Sequence, residues 1–233
     1  LKTLVFEYLR LTGKQLMPEG LILTADEPST PEEAEDGFHR YYVKGRTRPL
    51  RHTKAYQIEG NPFEPFGHHV IHGVLSASQL NKIAKQHDAT ITEFVLALLI
   101  WTIDRSNPKV KHKPITVSVP INLRRFFPTK SLRNFFTVTS VSVNVKKEDT
   151  LLEIIHCVQQ QMKENVHHSR LQEAINRNIN FEKILIARFI PLIVKDLIVR
   201  SLFFYYNDKL RTCTVSNLGK VQLPQSMAAY IDR

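Results

Sequence analysis

Residues 115–128 read Ile-Thr-Val-Ser-Val-Pro-Ile-Asn-Leu-Arg-Arg-Phe-Phe-Pro, and no other segment says as much about the fold. Aliphatic side chains alternate with Thr, Ser and Pro in its first half, which predicts a strand over Ile115–Ile121. Arg124 and Arg125 follow at the strand end, and Phe135–Val145 predicts a second strand. Arginine stays charged and offers a rigid fork of donors, so this strand end is predicted to form structural ion pairs or to bind an anion.

Helices are predicted on both sides of these strands by capping-box spacings, in which a Ser or Thr precedes a Glu or Gln by three residues. Apolar residues at helical spacing follow each of them: Ser76-x-x-Gln79, Thr90-x-x-Glu93 and Thr150-x-x-Glu153. Leu1–Leu11 is a further predicted helix that ends near Gly13. Strands are predicted over His68–Leu75 and Arg211–Ser216, and helices between them continue through Phe204. The pattern predicts a mixed α/β fold in which long helices cover a mixed sheet.

Composition limits the class of protein. The chain has 233 residues, 42% of them hydrophobic and 23% charged, as in an ordinary soluble globular protein. No apolar run approaches the roughly 20 residues that a membrane span needs. Cys157 and Cys213 are too few for a disulfide framework, so we expect a cytoplasmic protein. The net charge of +10 favours anionic partners, but the basic residues form no nucleic-acid-binding motif.

Metal and cofactor motifs are not evident. His68 and His72 share one face of the predicted strand, but this spacing is too long for two ligands of one zinc ion. Convergent carboxylates or thiols are lacking near them, so no metal site is predicted. No GxSxG, Walker or dinucleotide-binding pattern occurs, and the chain has only 8 glycines. We expect His167 and His168 to be solvated and Cys157 and Cys213 to be core thiols rather than parts of a functional site.

Taken in order, the segments resemble the acyl-CoA-dependent acyltransferase superfamily. Its members include chloramphenicol acetyltransferase, the condensation domains of peptide synthetases and alcohol acyltransferases of plants and bacteria. The chain looks most like the bacterial alcohol acetyltransferase branch. The residues that carry this resemblance are Leu1-Lys2-Thr3-Leu4-Val5-Phe6-Glu7-Tyr8-Leu9, Ala89-Thr90-Ile91-Thr92-Glu93-Phe94, the stretch around Arg124, and Ser216-Asn217-Leu218-Gly219.

The resemblance implies two similar α/β lobes around a tunnel, and it implies roles for five residues. A histidine in an HHxxxDG motif of the first lobe would remove the acceptor's proton, and the aspartate of that motif would pair with an arginine of the second lobe. Arg124 matches this arginine, and Asn122 stands where many relatives carry the aspartate of Asp-x-Arg. Asn134 matches a tunnel-wall position. Ser216 and Asn217 match a strand end near the reacting groups, as oxyanion donors or tunnel lining.

The HHxxxDG motif itself is absent from this sequence. The stretch His68-His69-Val70-Ile71-His72-Gly73 is one residue short and has histidine in place of aspartate. We therefore expect no catalytic base in the chain and place it upstream of Leu1. The expected organisation is a first-lobe helix at 1–17, a crossing segment or linker at 18–60 and a chloramphenicol-acetyltransferase-like second lobe at 61–233, incomplete at its end.

We therefore expect the chain to be the C-terminal part of an O-acyltransferase that moves an acetyl or acyl group from coenzyme A to a small alcohol. The fragment is expected to be inactive alone, to need its missing lobe and to self-associate through exposed apolar surface. One alternative is a condensation-type domain fed by an acyl carrier protein. Another is a non-catalytic binding module of the same fold. Nucleic acid, a metal and a membrane are not expected partners.

Overall fold

A computed structural model describes residues 2–17, 22, 28–45, 47, 53–60, 67, 69–106, 113–183, 191–220 and 223–231. The chain divides into two compact units. The small unit comprises Leu1–Glu35, Lys130–Leu132 and Asn217–Arg233. The sheet unit comprises Asp36–Thr129 and Arg133–Ser216.

The small unit is built around helix α1, Lys2–Leu11. Gly13 ends this helix with φ of 83°, and the Lys14 N–H donates to the Leu9 carbonyl at 3.1 Å, which is the Schellman arrangement that the glycine predicted. Two short helices complete the described part of the unit: α2, Pro31–Ala34, and one near the C-terminus at Gln225–Ala228. Its core consists of Phe6, Leu9, Ile22 and Met227.

The sheet unit contains a three-stranded sheet in the part of the chain that is described. Strand β1, Ile115–Asn122, lies in the centre. Strand β2, Phe136–Val143, pairs with it antiparallel, and strand β3, Cys213–Thr214, pairs with it parallel. The sheet is therefore mixed, as predicted. Val117 of β1 pairs with Cys213 of β3, which lies nearly a hundred residues further along the chain.

The described helices of the sheet unit are, in chain order, α3 (Gly37–Arg40), α4 (Ala77–Gln86), α5 (Ile91–Ser106), α6 (Leu151–Asn165), α7 (His168–Glu182) and α8 (Leu192–Leu210). The C-terminal helix Gln225–Ala228 of the small unit is α9. Each predicted capping residue lies at a helix start; in α6, for example, the Glu153 N–H donates to Thr150 Oγ1 and the Thr150 N–H to Glu153 Oε2. No described helix combines the length and the apolar character that crossing a bilayer requires.

The main core lies between one face of the sheet and helices α5 and α6. The odd-numbered residues of β1 and the valines at the end of β2 form its sheet side, and Ile100, Ile154 and Ile155 are among its fully buried helix residues. The mixed α/β fold with helices covering a mixed sheet is thus confirmed. Its driving force is the removal of these aliphatic side chains from water, which contributes about 1.5 to 3 kcal/mol for each fully buried one.

A second core surrounds Phe135, which is only 1% exposed. Phe38 of α3 packs edge-on against its ring with centroids 5.1 Å apart, and Tyr41 stacks on it at 6.1 Å. Gly37 lies so close that a Cβ at this position would come within 2.9 Å of the Phe135 ring. The segment after α3 is held to α7, because the Asn176 side-chain oxygen accepts from the Val43 N–H at 3.0 Å.

One local prediction differs from the structure. Residues 69–75 form no strand, although their aliphatic content predicts one, because no described strand lies beside them to accept their backbone hydrogen bonds; His68 lies outside the described residues. His167 follows Val166, the C-cap residue of α6, and its Nδ1 accepts from the Ser169 N–H at 3.4 Å.

The capping box of α6 gives a testable pH dependence. Hydrogen bonds from Thr150 hold the pKa of Glu153 below its usual range. Because the unfolded chain keeps an ordinary pKa, the stabilising contribution is present at neutral pH and is lost as pH falls through the lowered folded-state value. We expect Glu153→Ala to lower the melting temperature at pH 7 and to differ less from the parent chain near pH 3. Glu148→Ala, in the exposed turn before α6, serves as the control, and a gap that does not narrow in acid would contradict the assignment.

Candidate functional site

The end of the sheet where β1 stops gathers several of the predicted site residues. Asn122 is the last residue of β1, and its side-chain oxygen accepts from the Arg124 N–H at 3.1 Å. This bond opens a single 3₁₀ turn, Leu123–Arg125, that directs the chain away from the sheet. Asn122 therefore serves as a cap, which is a role that its side-chain oxygen fills as an aspartate's would.

Arg124 crosses from this turn to the segment that precedes β2. Its guanidinium donates to the carbonyl oxygen of Arg133, the residue before Asn134. The backbone makes the same connection, because the Leu123 N–H donates to the Phe135 carbonyl at 3.2 Å. Arg124 is half-buried, whereas Arg125 is exposed. The structure thus brings Asn122, Arg124 and Asn134 together, and of the two arginines it is Arg124 that contacts the β2 side.

Ser216 approaches this end of the sheet from β3. The Val215 N–H donates to the Ser118 carbonyl at 2.9 Å, which is the last described bond between the β3 segment and β1. Since parallel strands run in the same direction, Ser216 leaves the sheet at the same end as the C-terminus of β1. Its side chain is exposed. Asn217, the next residue, belongs to the small unit, and its side-chain oxygen accepts from the Gly219 N–H at 2.8 Å, which stabilises a turn.

An ion pair that the sequence did not indicate lies beside the same turn. Arg133 Nη1 is 3.9 Å from Asp36 Oδ2, and Asp36 Oδ1 accepts from the Phe38 N–H at 2.8 Å as the N-cap of α3. Arg133 therefore links the segment that Arg124 contacts to the start of α3. Nearly a hundred residues separate the two partners, so no local pattern could have predicted the pair.

Hydroxyl groups line one face of the sheet that leads to this end. Thr116 Oγ1 lies 2.8 Å from Ser142 Oγ, and Ser118 Oγ lies 3.2 Å from Ser140 Oγ. Thr116 and Ser118 are buried, and the two residues of each pair lie directly opposite each other on β1 and β2. The alternation of β1 predicts that these residues share a face, but only the register of β2 shows that the hydroxyls meet. This face offers donors and acceptors without charge.

The side chains at this end of the sheet can bind an anion and donate hydrogen bonds. Arg124 supplies a fixed cation, and the amides of Asn122 and Asn134 and the hydroxyl of Ser216 are of the types that donate hydrogen bonds to an oxyanion. Among the described side chains, no group of three or more His, Cys, Asp or Glu could hold a metal ion. His168 has a packing contact instead, since its ring lies 4.6 Å from that of Phe127.

Cys213 of β3 is the thiol nearest in sequence to this end, and burial raises its pKa. A thiol with a raised pKa holds less of the reactive thiolate at neutral pH. We expect iodoacetamide to modify Cys213 slowly at pH 7 in the folded chain and faster as the pH rises above about 8.5. Peptide mapping by mass spectrometry measures this, with the chain in guanidinium chloride as the control. Equal rates in the folded and unfolded chain would show that the half-buried position of Cys213 does not protect its thiol.

Comparison with known proteins yields only partial structural similarities. No family model matches the chain, and no curated protein matches it. The first condensation domain of the CDA synthetase is similar at 20% identity over 39% of this chain and 20% of that chain, with a TM-score of 0.32. The first condensation domain of the calcium-dependent antibiotic synthetase in complex with substrate analogue 3a gives 20% identity, 43% and 23% coverage and a TM-score of 0.33. The chain covers less than a quarter of either structure, and similarity at this level assigns it no function.

Proposed function

We propose that this chain is the C-terminal part of an acyl-CoA-dependent O-acyltransferase with a chloramphenicol-acetyltransferase-like fold. The observation that carries the proposal is the convergence of Asn122, Arg124, Asn134 and Ser216 at one end of the sheet. These are residues for which the sequence resemblance implies a shared site, and they come from three separate segments. Antiparallel pairing of β1 with β2 brings the first three residues together, and parallel pairing of β3 with β1 brings Ser216 to the same end of the sheet, which supports a shared site.

In this reaction an alcohol oxygen attacks the thioester carbonyl, and the thiolate of coenzyme A leaves. The alcohol must lose its proton, and a positioned histidine base accelerates this by roughly two to four orders of magnitude. The chain has no HHxxxDG motif, so the proposal assigns the base to a histidine outside these residues. Arg124 would pair with the aspartate of that histidine's motif and so position the base.

The oxyanion that forms at the thioester carbonyl needs hydrogen-bond donors fixed in advance. Removing one such donor in an enzyme typically costs about 10²- to 10³-fold in rate. Ser216 is an exposed hydroxyl at the strand end and is our assignment for this role. Asn134 is our assignment for the tunnel wall. The net charge of +10 favours the approach of coenzyme A, which carries several phosphates.

The test supplies acetyl-CoA and a panel of small alcohols to this chain and to the full product of its gene, and follows the release of free thiol. Release by the full product but not by the chain supports the proposal. Release by the chain alone would overturn the assignment of the base to another segment. No release by either, with every alcohol tried, would contradict the O-acyltransferase proposal.

A carrier-protein thioester is the second candidate donor, and the excess of basic residues favours it equally, because acyl carrier proteins are acidic. The two donors are distinguished by offering the same acyl group on coenzyme A and on a carrier protein. Transfer from the carrier alone would identify a condensation-type domain.

A further inference from the structure

Residues 41–45, which we call the strap, follow α3 and are held by hydrogen bonds to α7. Three side-chain amides of α7, each four residues from the next, bond three alternate residues of the strap. The bonds run from Gln172 Nε2 to the Tyr41 carbonyl at 2.7 Å, from the Val43 N–H to Asn176 Oδ1 at 3.0 Å, and from Asn180 Nδ2 to the Gly45 carbonyl at 3.4 Å. Polar side chains on one face of α7 therefore bind the backbone of the strap.

The spacing of these bonds follows from the geometry of the two segments. Four residues of an α-helix rise about 6 Å, and two residues of extended chain span about 6.6 Å. Side chains four residues apart on α7 can therefore meet every second residue of the strap. Asn176 is only 7% exposed, and Gln172 Nε2 also donates to its Oδ1 at 3.0 Å, so the amides support each other. The strap thus has a fixed position on α7.

Tyr41 is the strap residue that reaches the candidate site. Its hydroxyl donates to the Pro128 carbonyl. The centroid of its ring lies 5.2 Å from that of Phe127 and 6.1 Å from that of Phe135. The contacts with Pro128 and Phe127 hold the segment that follows the 3₁₀ turn, and the contact with Phe135 holds the segment that leads into β2. One side chain therefore contacts both of the segments that carry predicted site residues at the end of β1.

We propose that Tyr41 is a positioning residue of the candidate site, which keeps Arg124 and Asn134 in their relative places. The Phe127 N–H donates to the Leu123 carbonyl at 2.8 Å and so closes the 3₁₀ turn. A movement of Phe127 would therefore move the turn that carries Arg124. The effect of Tyr41 on catalysis rests on the proposed function, whereas its effect on the turn does not.

Tyr42, the next residue of the strap, supplies a matched control. Its hydroxyl donates to Asn180 Oδ1 at 2.8 Å, and Lys183 Nζ lies 3.8 Å from the centroid of its ring. The hydrogen bond of Tyr42 therefore leads to α7, whereas that of Tyr41 leads to the segment after the turn. Tyr41→Phe and Tyr42→Phe each remove one hydroxyl group from adjacent residues and leave the ring in place. The two variants should lose similar amounts of stability but release different parts of the structure.

Backbone hydrogen exchange, followed by NMR on this chain, tests whether Tyr41 holds the turn. In Tyr41→Phe the hydrogen-bonded N–H groups of Leu123 and Phe127 should exchange about threefold to tenfold faster. The reason is that the variant loses a hydrogen bond that restrains their segment. Tyr42→Phe should leave these two rates within about twofold of the parent chain and should raise exchange rates in the strap instead. Unchanged rates in Tyr41→Phe, or an equal rise in both variants, would overturn the proposal.

Kinetics of the full gene product test the positioning role, with release of free thiol from acetyl-CoA as the assay. Tyr41→Phe should lower kcat about threefold to tenfold and change KM for acetyl-CoA less, because the loss acts on the geometry of the site. Tyr42→Phe should keep kcat within about twofold at a similar melting temperature. An equal loss of kcat in both variants would leave Tyr41 with a structural role only. If the parent product releases no thiol, the proposed function fails, and the exchange rates alone decide whether Tyr41 holds the turn.

Discussion

Replacing Phe135 by alanine is expected to lower the free energy of unfolding by about 3 to 5 kcal/mol. The ring is 1% exposed and contacts Phe38 and Tyr41, so its removal leaves a cavity that its neighbours fill only in part. Gly37 already lies against the ring without a side chain, and its backbone cannot fill the space. Because the Phe135 carbonyl accepts from the Leu123 N–H, the turn that carries Arg124 should loosen as well.

The neighbouring Phe136 supplies the matched control. It has the same side chain but is 48% exposed at the start of β2, so Phe136→Ala should cost much less than Phe135→Ala. Chemical denaturation of both variants measures the two free energies. Equal losses would show that the second core does not close around Phe135 as described.

Replacing Arg124 by alanine is expected to reduce kcat/KM of the active full product by about 10²- to 10⁴-fold, if acyl transfer is the function. Breaking a buried ion pair by removing one partner costs about 3 to 5 kcal/mol, because the other charge is left without compensation. The half-buried Arg124 guanidinium, held by the Arg133 carbonyl, is poised for such a pair. Arg124→Lys should recover little activity, since lysine lacks the planar fork.

Arg125→Ala is the control for Arg124→Ala, because Arg125 is exposed on the same 3₁₀ turn. It should change kcat/KM by no more than a few-fold. A positioning role predicts that kcat falls while the unfolding midpoint of the Arg124 variant stays close to that of the Arg125 variant. Equal activity losses in both variants would remove the assignment of Arg124 as the pairing arginine.

The sequence predicted the elements whose signals are local. The three capping boxes mark the starts of α4, α5 and α6, since each depends on hydrogen bonds within one helical turn. The strand β1 was equally clear from its alternation. The roles of Asn122, Arg124, Asn134, Ser216 and Asn217 came from a family resemblance, and they stay predictions that the measurements above address.

The predicted strand at residues 68–75 is not formed over its described part, residues 69–75, and this shows the limit of such signals. A helix satisfies its own backbone, whereas a strand needs a neighbour, and the described residues offer none beside residues 69–75. For the same reason the sequence did not predict the ion pair between Asp36 and Arg133 or the hydroxyl pairs between β1 and β2. In each case the partners lie too far apart in the chain for any window of sequence to relate them.

Short-range signals in the chain therefore define most of its elements, their order and the mixed α/β class, because caps, turns and periodicity act over a few residues. Which ends of those elements meet depends on tertiary contacts. Parallel pairing of β3 with β1 brings Ser216 to the end of the sheet where Asn122 and Arg124 lie. Packing around Phe135 brings Asn134 to the same end. The energy of these contacts comes from burial and from hydrogen bonds between distant segments, which exist only once the chain has folded.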